Sequence, residues 1–342
     1  MDVGVGLDAT LGLSFDQHRA LAREAARLGY TSLWTPAGLA QDAFQICAQW
    51  WMASREIVPG GLFTGISVVP VPLWTPVQLA ASAGTVGELT GGRFILGIGS
   101  GGVHEPGYRR RLGLPDIAPL PLMRDYLLTV RRLLAGEAVD YVGAAVTLHG
   151  ARLGFQPPPV PVYLGALGPR MLDLAGEAAD GVLLNWCSPS QVAWSRQIVA
   201  EGARRAGRDP SAVRIAEYIR VCVDEDVEAA RRALTRAVLG YALARPGTDK
   251  RLGYRGHFAR MGFDQVLRDL EERRDRGASE AELIEAFPPE LLRQIGYYGP
   301  AAGAREAFRT LAAGLDLAIV RVVAARSGYA SALAAMHACA GA

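Results

Sequence analysis

The stretch TGISVVPVPLWTPVQLAASAGTVGELTGGRFILGIGSG, residues 64–101, decides the fold. Its β-branched start reads as a strand. Thr75-Pro76 then opens a helix, with proline at a first-turn position where its missing N–H costs nothing. A Gly91-Gly92 turn leads into a further apolar strand over 93–98, which leaves through Gly99, Ser100 and Gly101. Strands alternating with helices of this length imply crossover connections in a parallel sheet.

The same unit repeats outward in both directions. Strands are expected at 3–7, 31–34, 62–69, 93–98, 160–164, 181–185, 213–223 and 317–323. Amphipathic helices separate them, as over 15–28, where Leu21, Ala25 and Leu28 share one face. Ser14 and Asp16 stand where a cap is needed, and Gly29 where the helix should stop. Eight strands are enough to close an α/β (β/α)8 TIM barrel. Residues 136–150 read as a small hairpin closed near Gly143.

Two segments break the rhythm. Residues 99–119 form a Gly/Pro/Arg-rich stretch, and 243–300 separate the seventh strand from the eighth by far more chain than one crossover needs. The expectation is one TIM-barrel domain over 1–342 with insertions after strands four and seven. Residues 99–119 would be an active-site loop and 243–300 a helical insertion or lid.

Composition narrows the class of function. The chain has 342 residues, 50% hydrophobic and 20% charged, with a formal net charge of +2. That leaves no global basic field to steer nucleic acid or a membrane surface. The start MDVGVGLDAT lacks the charged, apolar and small-residue regions of a signal peptide. Cys47, Cys187, Cys222 and Cys339 form no C-x-x-C pair, so no metal site or disulfide framework is expected. The expectation is a soluble cytoplasmic enzyme.

In such a barrel the chemistry sits at the C-terminal ends of the strands. Those ends are rich in small residues, which suits a flat ring or a phosphate lying against backbone. Gly97, Gly99 and Gly102 imitate a dinucleotide fingerprint, but no acidic ribose clamp follows, so a tight βα turn is the better explanation of them. More is carried by PVYLGALGPRMLDLAGEAADGVLLNW, residues 161–186. Pro169 occupies a first helical position, so the free amides of Leu167, Gly168 and Arg170 are placed to meet a phosphate at a helix start. The plain alternative is a well-capped helix with nothing bound.

Together, residues 64–101, residues 161–186 and the hairpin GEAVDYVGAAVTLHG (136–150) resemble the luciferase-like monooxygenase family, most of all its deazaflavin-dependent branch. The likeness covers most of 1–235 and the final strand and weakens over 243–300. It implies a non-prolyl cis peptide at Ser67-Val68, forming a bulge behind the ring of coenzyme F420 or, alternatively, FMN. It also implies that Gly99, Ser100 and Gly101 lie beside the ring. Gly165, Ala166, Leu167, Gly168 and Pro169 would surround the cofactor phosphate, with Asn185 near the same phosphate or tail. Asp8 joins this set as the end of the first strand.

The departures matter as much. Sugar-phosphate dehydrogenases of the family carry a carboxylate and a histidine after the second strand; here the residues are Trp34-Thr35-Pro36-Ala37-Gly38. Their glutamate after the fourth strand is matched by Gly102. His104 and Glu105 are the nearest replacements and the candidate catalytic acids, with a solvated loop pair as the alternative. Arg109, Arg110 and Arg111 form a cationic cluster suited to the F420 tail or simply to solvent. Alternation puts Tyr218 and Arg220 on one face of the seventh strand and Glu217 on the other. Tyr254, His257 and Phe258 are candidate capping residues of the insertion. The run Trp50-Trp51-Met52 is a candidate homodimer contact or ordinary packing.

The expected activity is hydride transfer between F420 and a small organic substrate. An FMN-dependent monooxygenase fed by a separate flavin reductase is the alternative, and a non-catalytic binding or assembly barrel the second.

Overall fold

The computed structural model describes residues 1–245 and 247–342. Strand β1 (Asp2–Gly6) runs parallel between β2 (Ser32–Thr35) and β11 (Leu317–Val322). From β2 the sheet passes through β3 (Phe63–Pro70), β4 (Phe94–Gly99), β7 (Val162–Gly165) and β8 (Gly181–Asn185) to β9 (Arg214–Val223). Strand β9 pairs with β11, which closes the ring. The chain is therefore a closed, eight-stranded parallel (β/α)8 TIM barrel, as the alternation predicts.

Local chemistry sets the helices between the strands. Helix α1 (Phe15–Arg27) begins at Ser14 with a full capping box to Gln17. In α2 (Ala43–Ser54) the cap is Asp42, and in α3 (Pro76–Leu89) it is Thr75 with Pro76 behind it. Further round are α5 (Pro119–Leu134), α6 (Pro169–Ala178), α7 (Pro189–Arg205), α8 (Val227–Ala242), α13 (Ala301–Leu311) and α14 (Gly328–Cys339). β5 (Val139–Val142) and β6 (Thr147–Ala151) form the antiparallel hairpin.

Inward side chains fill the lumen. Trp34, Ile95, Tyr163, Leu183, Ala216, Tyr218, Leu317 and Ile319 form one buried cluster. Each aliphatic side chain there contributes roughly 1.5–3 kcal/mol by leaving water. Trp34 fits only because Gly65 is bare, since a Cβ at that position would strike the indole. The larger core lies between the strands and the helical ring.

Both insertions differ in detail from expectation. Residues 99–119 are not loop throughout: α4 (Pro106–Leu112) forms behind Glu105 and ends at Gly113 with φ 65°. Residues 243–300 hold α9 (Gly253–Phe258), a π turn at Ala259–Phe263, α10 (Asp264–Asp275), α11 (Glu280–Ala286) and α12 (Pro289–Leu292). They end in a strand not expected from sequence, β10 (Gly296–Gly299). Its four residues, GYYG, are too short to show alternation.

Strand β10 occupies a particular place. β8 pairs with β9 over Arg214 to Tyr218, and β10 takes the same edge from Arg220 to Val223. The barrel wall thus splits just above Tyr218, and the insertion is built into the split. Phe258, Phe263, Leu267 and Phe287 pack there on Trp186, Cys222 and α8 as a second core. No helix of the described residues is long and apolar enough to cross a membrane.

Candidate active site

The C-terminal strand ends meet in a rim of partly exposed residues around the mouth: Asp8, Ser67, Val68, Ser100, Gly165, Leu167, Gly168 and Asn185. Strand β3 carries the feature that organises them. Its pairing with β4 jumps between Ile66 and Val69, and the peptide bond from Ser67 to Val68 is cis. The register shift marks a bulge, and Val68 within it packs against the lumen cluster. The Val68 carbonyl accepts the Ala37 N–H at 3.2 Å, which fixes the bulge to the loop after β2.

Glycines give the Val68 side chain its place. A Cβ on Gly99 would lie 2.5 Å from Val68 Cγ2, and one on Gly165 would lie 3.0 Å from Val68 Cγ1. The two bare backbones on β4 and β7 therefore admit the isopropyl group, which forms an apolar step in the mouth. Gly101 has φ 59°, a conformation glycine adopts without penalty. Ser100 keeps its hydroxyl local, 3.5 Å from the Gly101 carbonyl.

Beyond β7 the chain turns through Ala166, Leu167 and Gly168 into α6, with Pro169 in its first turn. Ala166 N–H is taken by the Leu183 carbonyl at 3.2 Å. Among the described residues the amides of Leu167, Gly168 and Arg170 have no protein acceptor. Space over Gly168 is open, since a Cβ there would meet nothing within 4 Å. The arrangement is a bare helix start ready for an anion. Arg260, from the π turn of the insertion, reaches the same place and donates to the Leu167 carbonyl at 3.0 Å. No carboxylate pairs with it among the described residues.

The far side of the mouth is more polar. Asp8 caps its own turn by accepting Thr10 N–H at 2.9 Å and is ion-paired with buried Arg321 of β11. Arg321 stands in register beside Arg220 of β9. Arg220 is 4% exposed and lies 4.1 Å over the Trp186 ring. It donates to the Asn185 amide oxygen and, at 3.2 Å, to the Tyr218 carbonyl. Asn185 in turn donates to the Tyr254 hydroxyl at 2.6 Å. Its side chain is thus committed to Arg220 and the insertion. Tyr218 has a buried hydroxyl, and among the described residues Ser67 is the side chain that faces it.

Glu217 points the other way, as alternation requires. One oxygen accepts Cys187 N–H at 2.7 Å, the second has no partner among the described residues, and burial pushes its pKa up to about 8. Trp186, between Asn185 and Cys187, has φ 58°, which a bulky residue holds only under constraint from its surroundings. His257 donates from Nε2 to the Trp186 carbonyl (2.9 Å), and burial lowers its pKa to about 4.

The structure separates the sequence candidates. His104 packs against Gly253 of α9, 3.9 Å from Glu105, and burial pulls its pKa down. Glu105 pairs with Arg245 at 2.7 Å. Arg109 is spent on the Val103 carbonyl and Asp116, and Arg111 lies over Tyr108. Of the insertion candidates, Tyr254 reaches the mouth, whereas His257 and Phe258 are buried in the second core. Trp50 and Trp51 are buried within the chain and only Met52 is exposed. Arg260 and Arg321 were not singled out in the sequence. Arg321 carries a readable signal, a lone arginine in the strand LAIVRV; Arg260 carries none, because only the insertion's fold brings it to α6.

Comparison with known proteins gives concordant matches. The profile of a family described as luciferase-like monooxygenase matches residues 2–317. A 5,10-methylenetetrahydromethanopterin reductase of Archaeoglobus fulgidus is 37% identical over 170 residues; the match spans half of each chain, 50% of this one and 50% of that one. A protein of Mycobacterium tuberculosis, provisionally named a coenzyme F420-dependent oxidoreductase, is 29% identical over 317 residues, 85% of this chain and 87% of that one. In fold, the coenzyme F420 dependent tetrahydromethanopterin reductase of Methanopyrus kandleri superposes with a TM-score of 0.77 at 21% identity, over 98% of this chain and 97% of that one.

Proposed function

The chain belongs to the luciferase-like monooxygenase family, and from that premise we propose that it is a coenzyme F420-dependent oxidoreductase that moves a hydride between the deazaflavin and a small organic substrate. The observation that carries this reading is the pairing of an apolar Val68 step, seated between Gly99 and Gly165, with the acceptor-free amides at the start of α6. A planar ring needs the first, and its phosphorylated tail needs the second. The Mycobacterium tuberculosis relative, similar over most of its length, favours F420 over FMN.

In this reading the Ser67-Val68 bulge, with Gly99, Ser100 and Gly101, would hold the ring. The phosphate is held by the amides of Leu167, Gly168 and Arg170 in the turn from Gly165 to Pro169, with Arg260 as a neighbouring cation. F420 supplies the two-electron hydride chemistry, and this chain's residues bind, orient and keep water out. Asp8 keeps Arg321 neutralised, and Asn185 holds Arg220 and Tyr254 in place. His104 and Glu105, in the segment after β4, are the candidate acid–base residues, and burial lowers the His104 pKa, which favours its proton-accepting form. A homodimer contact centred on exposed Met52 of α2 belongs to the same proposal, and light scattering on the purified protein tests it.

The test is a visible-absorbance titration with oxidised F420 and, separately, FMN. Saturable binding of F420 with little or none of FMN is expected. Tight FMN binding with oxygen consumption in the presence of a flavin reductase would replace this reading by the monooxygenase one. No spectral change with either ring would leave a non-catalytic barrel.

A further inference from the structure

Two arginines stand side by side in the mouth, in register on β9 and β11, and their electrostatic situations differ. Arg321 has Asp8. Arg220 has no carboxylate partner among the described residues, although it is 4% exposed. A buried cation without a counter-charge is expensive to keep, so a fold that keeps one leaves room for an anion to arrive.

The hydrogen-bond pattern around Arg220 says which edge is vacant. Both of its protein bonds, to Asn185 and to the Tyr218 carbonyl, are made by Nη1. Among the described residues Nε and Nη2 have no acceptor, and neither is sealed from solvent. These two donors form the side-on fork of the guanidinium, which matches the two oxygens of a carboxylate. Elsewhere the chain uses the same edge in this way: Arg23 holds Glu56 through Nε and Nη2 at 2.6 and 2.9 Å, and Arg326 holds Asp224 at 2.8 and 3.1 Å.

The setting is built. Trp186 stacks beneath the guanidinium at 4.1 Å, Tyr241 lies 5.7 Å away, and the Asn185 amide fixes the opposite edge. Tyr218, two residues back on the same strand face, contributes a buried hydroxyl that faces Ser67. Glu217, the adjacent carboxyl, is on the other face of β9, where it accepts the Cys187 N–H and burial pushes its pKa up to about 8, so it forms no ion pair with Arg220.

We propose that Arg220 is the specificity-determining residue of the substrate pocket and that the substrate carries a carboxylate, received by its Nε–Nη2 edge where the barrel wall splits beneath the insertion. This deepens the oxidoreductase reading by naming a substrate class, and it rests on that reading only for the place of the ring.

Titration with sodium succinate, followed by intrinsic tryptophan fluorescence, tests it without any cofactor, because Trp186 lies against the guanidinium. The wild-type protein should show saturable binding, weakened at least about tenfold in Arg220→Gln. Arg220→Lys keeps the charge but lacks the fork, and should recover only part of the affinity. F420 affinity, measured separately by absorbance, should stay within about twofold of wild type in both variants, an outcome that a pocket role separate from the ring requires. The proposal fails if wild type does not bind succinate, if inorganic phosphate binds in its place, or if Arg220→Lys binds succinate as well as wild type. It also fails if either variant loses F420 affinity in parallel, since Arg220 would then serve the cofactor. Failure of F420 to bind at all, with succinate binding intact, would sink the oxidoreductase reading and leave the carboxylate site standing.

Discussion

Gly99 bears on the site through the side chain it admits. Its Cα leaves the volume that Val68 Cγ2 occupies, 2.5 Å from where a Cβ would stand. Gly99→Ala should therefore push the valine step out of the mouth while leaving the outer core intact. We expect F420 affinity to fall at least about tenfold, or ~1.4 kcal/mol, with the far-ultraviolet circular dichroism of the wild type. An alanine variant that binds the ring normally would show that the step does not support it. Glu217 makes a different prediction. Its pKa is raised from 4.5 to about 8 by burial, so between those values the unfolded chain releases a proton that the folded chain retains. Stability then falls as pH rises through that window. In Glu217→Gln this slope is absent, so the Tm of wild type minus that of the variant should decline from pH 5 to pH 8. A flat difference would mean that Glu217 is charged inside the fold.

Among elements, the start of α6 and the insertion's π turn act together. The amides of Leu167, Gly168 and Arg170 are fixed by the strand-turn-helix geometry, and Arg260 comes from chain about ninety residues away, held there by its bond to the Leu167 carbonyl. Removing the guanidinium should weaken a phosphorylated ligand more than its phosphate-free form. For Arg260→Ala the dissociation constant of F420 should rise about tenfold, with a shallower salt dependence. That of the phosphate-free deazaflavin chromophore should hardly change. Equal losses for both ligands would place Arg260 at the ring instead. Helix α6 was legible in the sequence through Gly168-Pro169. Arg260 was not, because nothing local marks a residue whose partner is a distant carbonyl.

For the molecule as a whole, the insertion is a second core wedged into a split barrel wall. Its internal fastening is polar: Glu271, 1% exposed, pairs with Arg255 at 2.8 Å and with Lys250, the single lysine of the chain, at 2.7 Å. Glu271→Ala leaves the buried Arg255 with only Asp264. Breaking such a pair typically costs about 3–5 kcal/mol. The variant should melt in two steps or be cut by protease first within 243–300, while the barrel remains folded. A single cooperative transition at the wild-type midpoint would argue that the network contributes nothing.

The order of the eight barrel strands and the helices between them, and the mouth's glycines, were written in local pattern; strand β10 and helix α4 were not. Period-2 and period-3.6 runs, Ser14 and Thr75 caps, and Pro169 each act within a few residues. The Ser67-Val68 bulge was reachable through resemblance, since no feature of a short apolar strand announces it. Tertiary structure alone decided which charges are spent and which are free. Asp8 silences Arg321 across more than three hundred residues of chain, Asp116 and Val103 occupy Arg109, and Arg220 is left open. The reason is physical: a side chain's charge is read from its sequence, but whether that charge is neutralised depends on what the closed barrel and the strand β10 bring beside it.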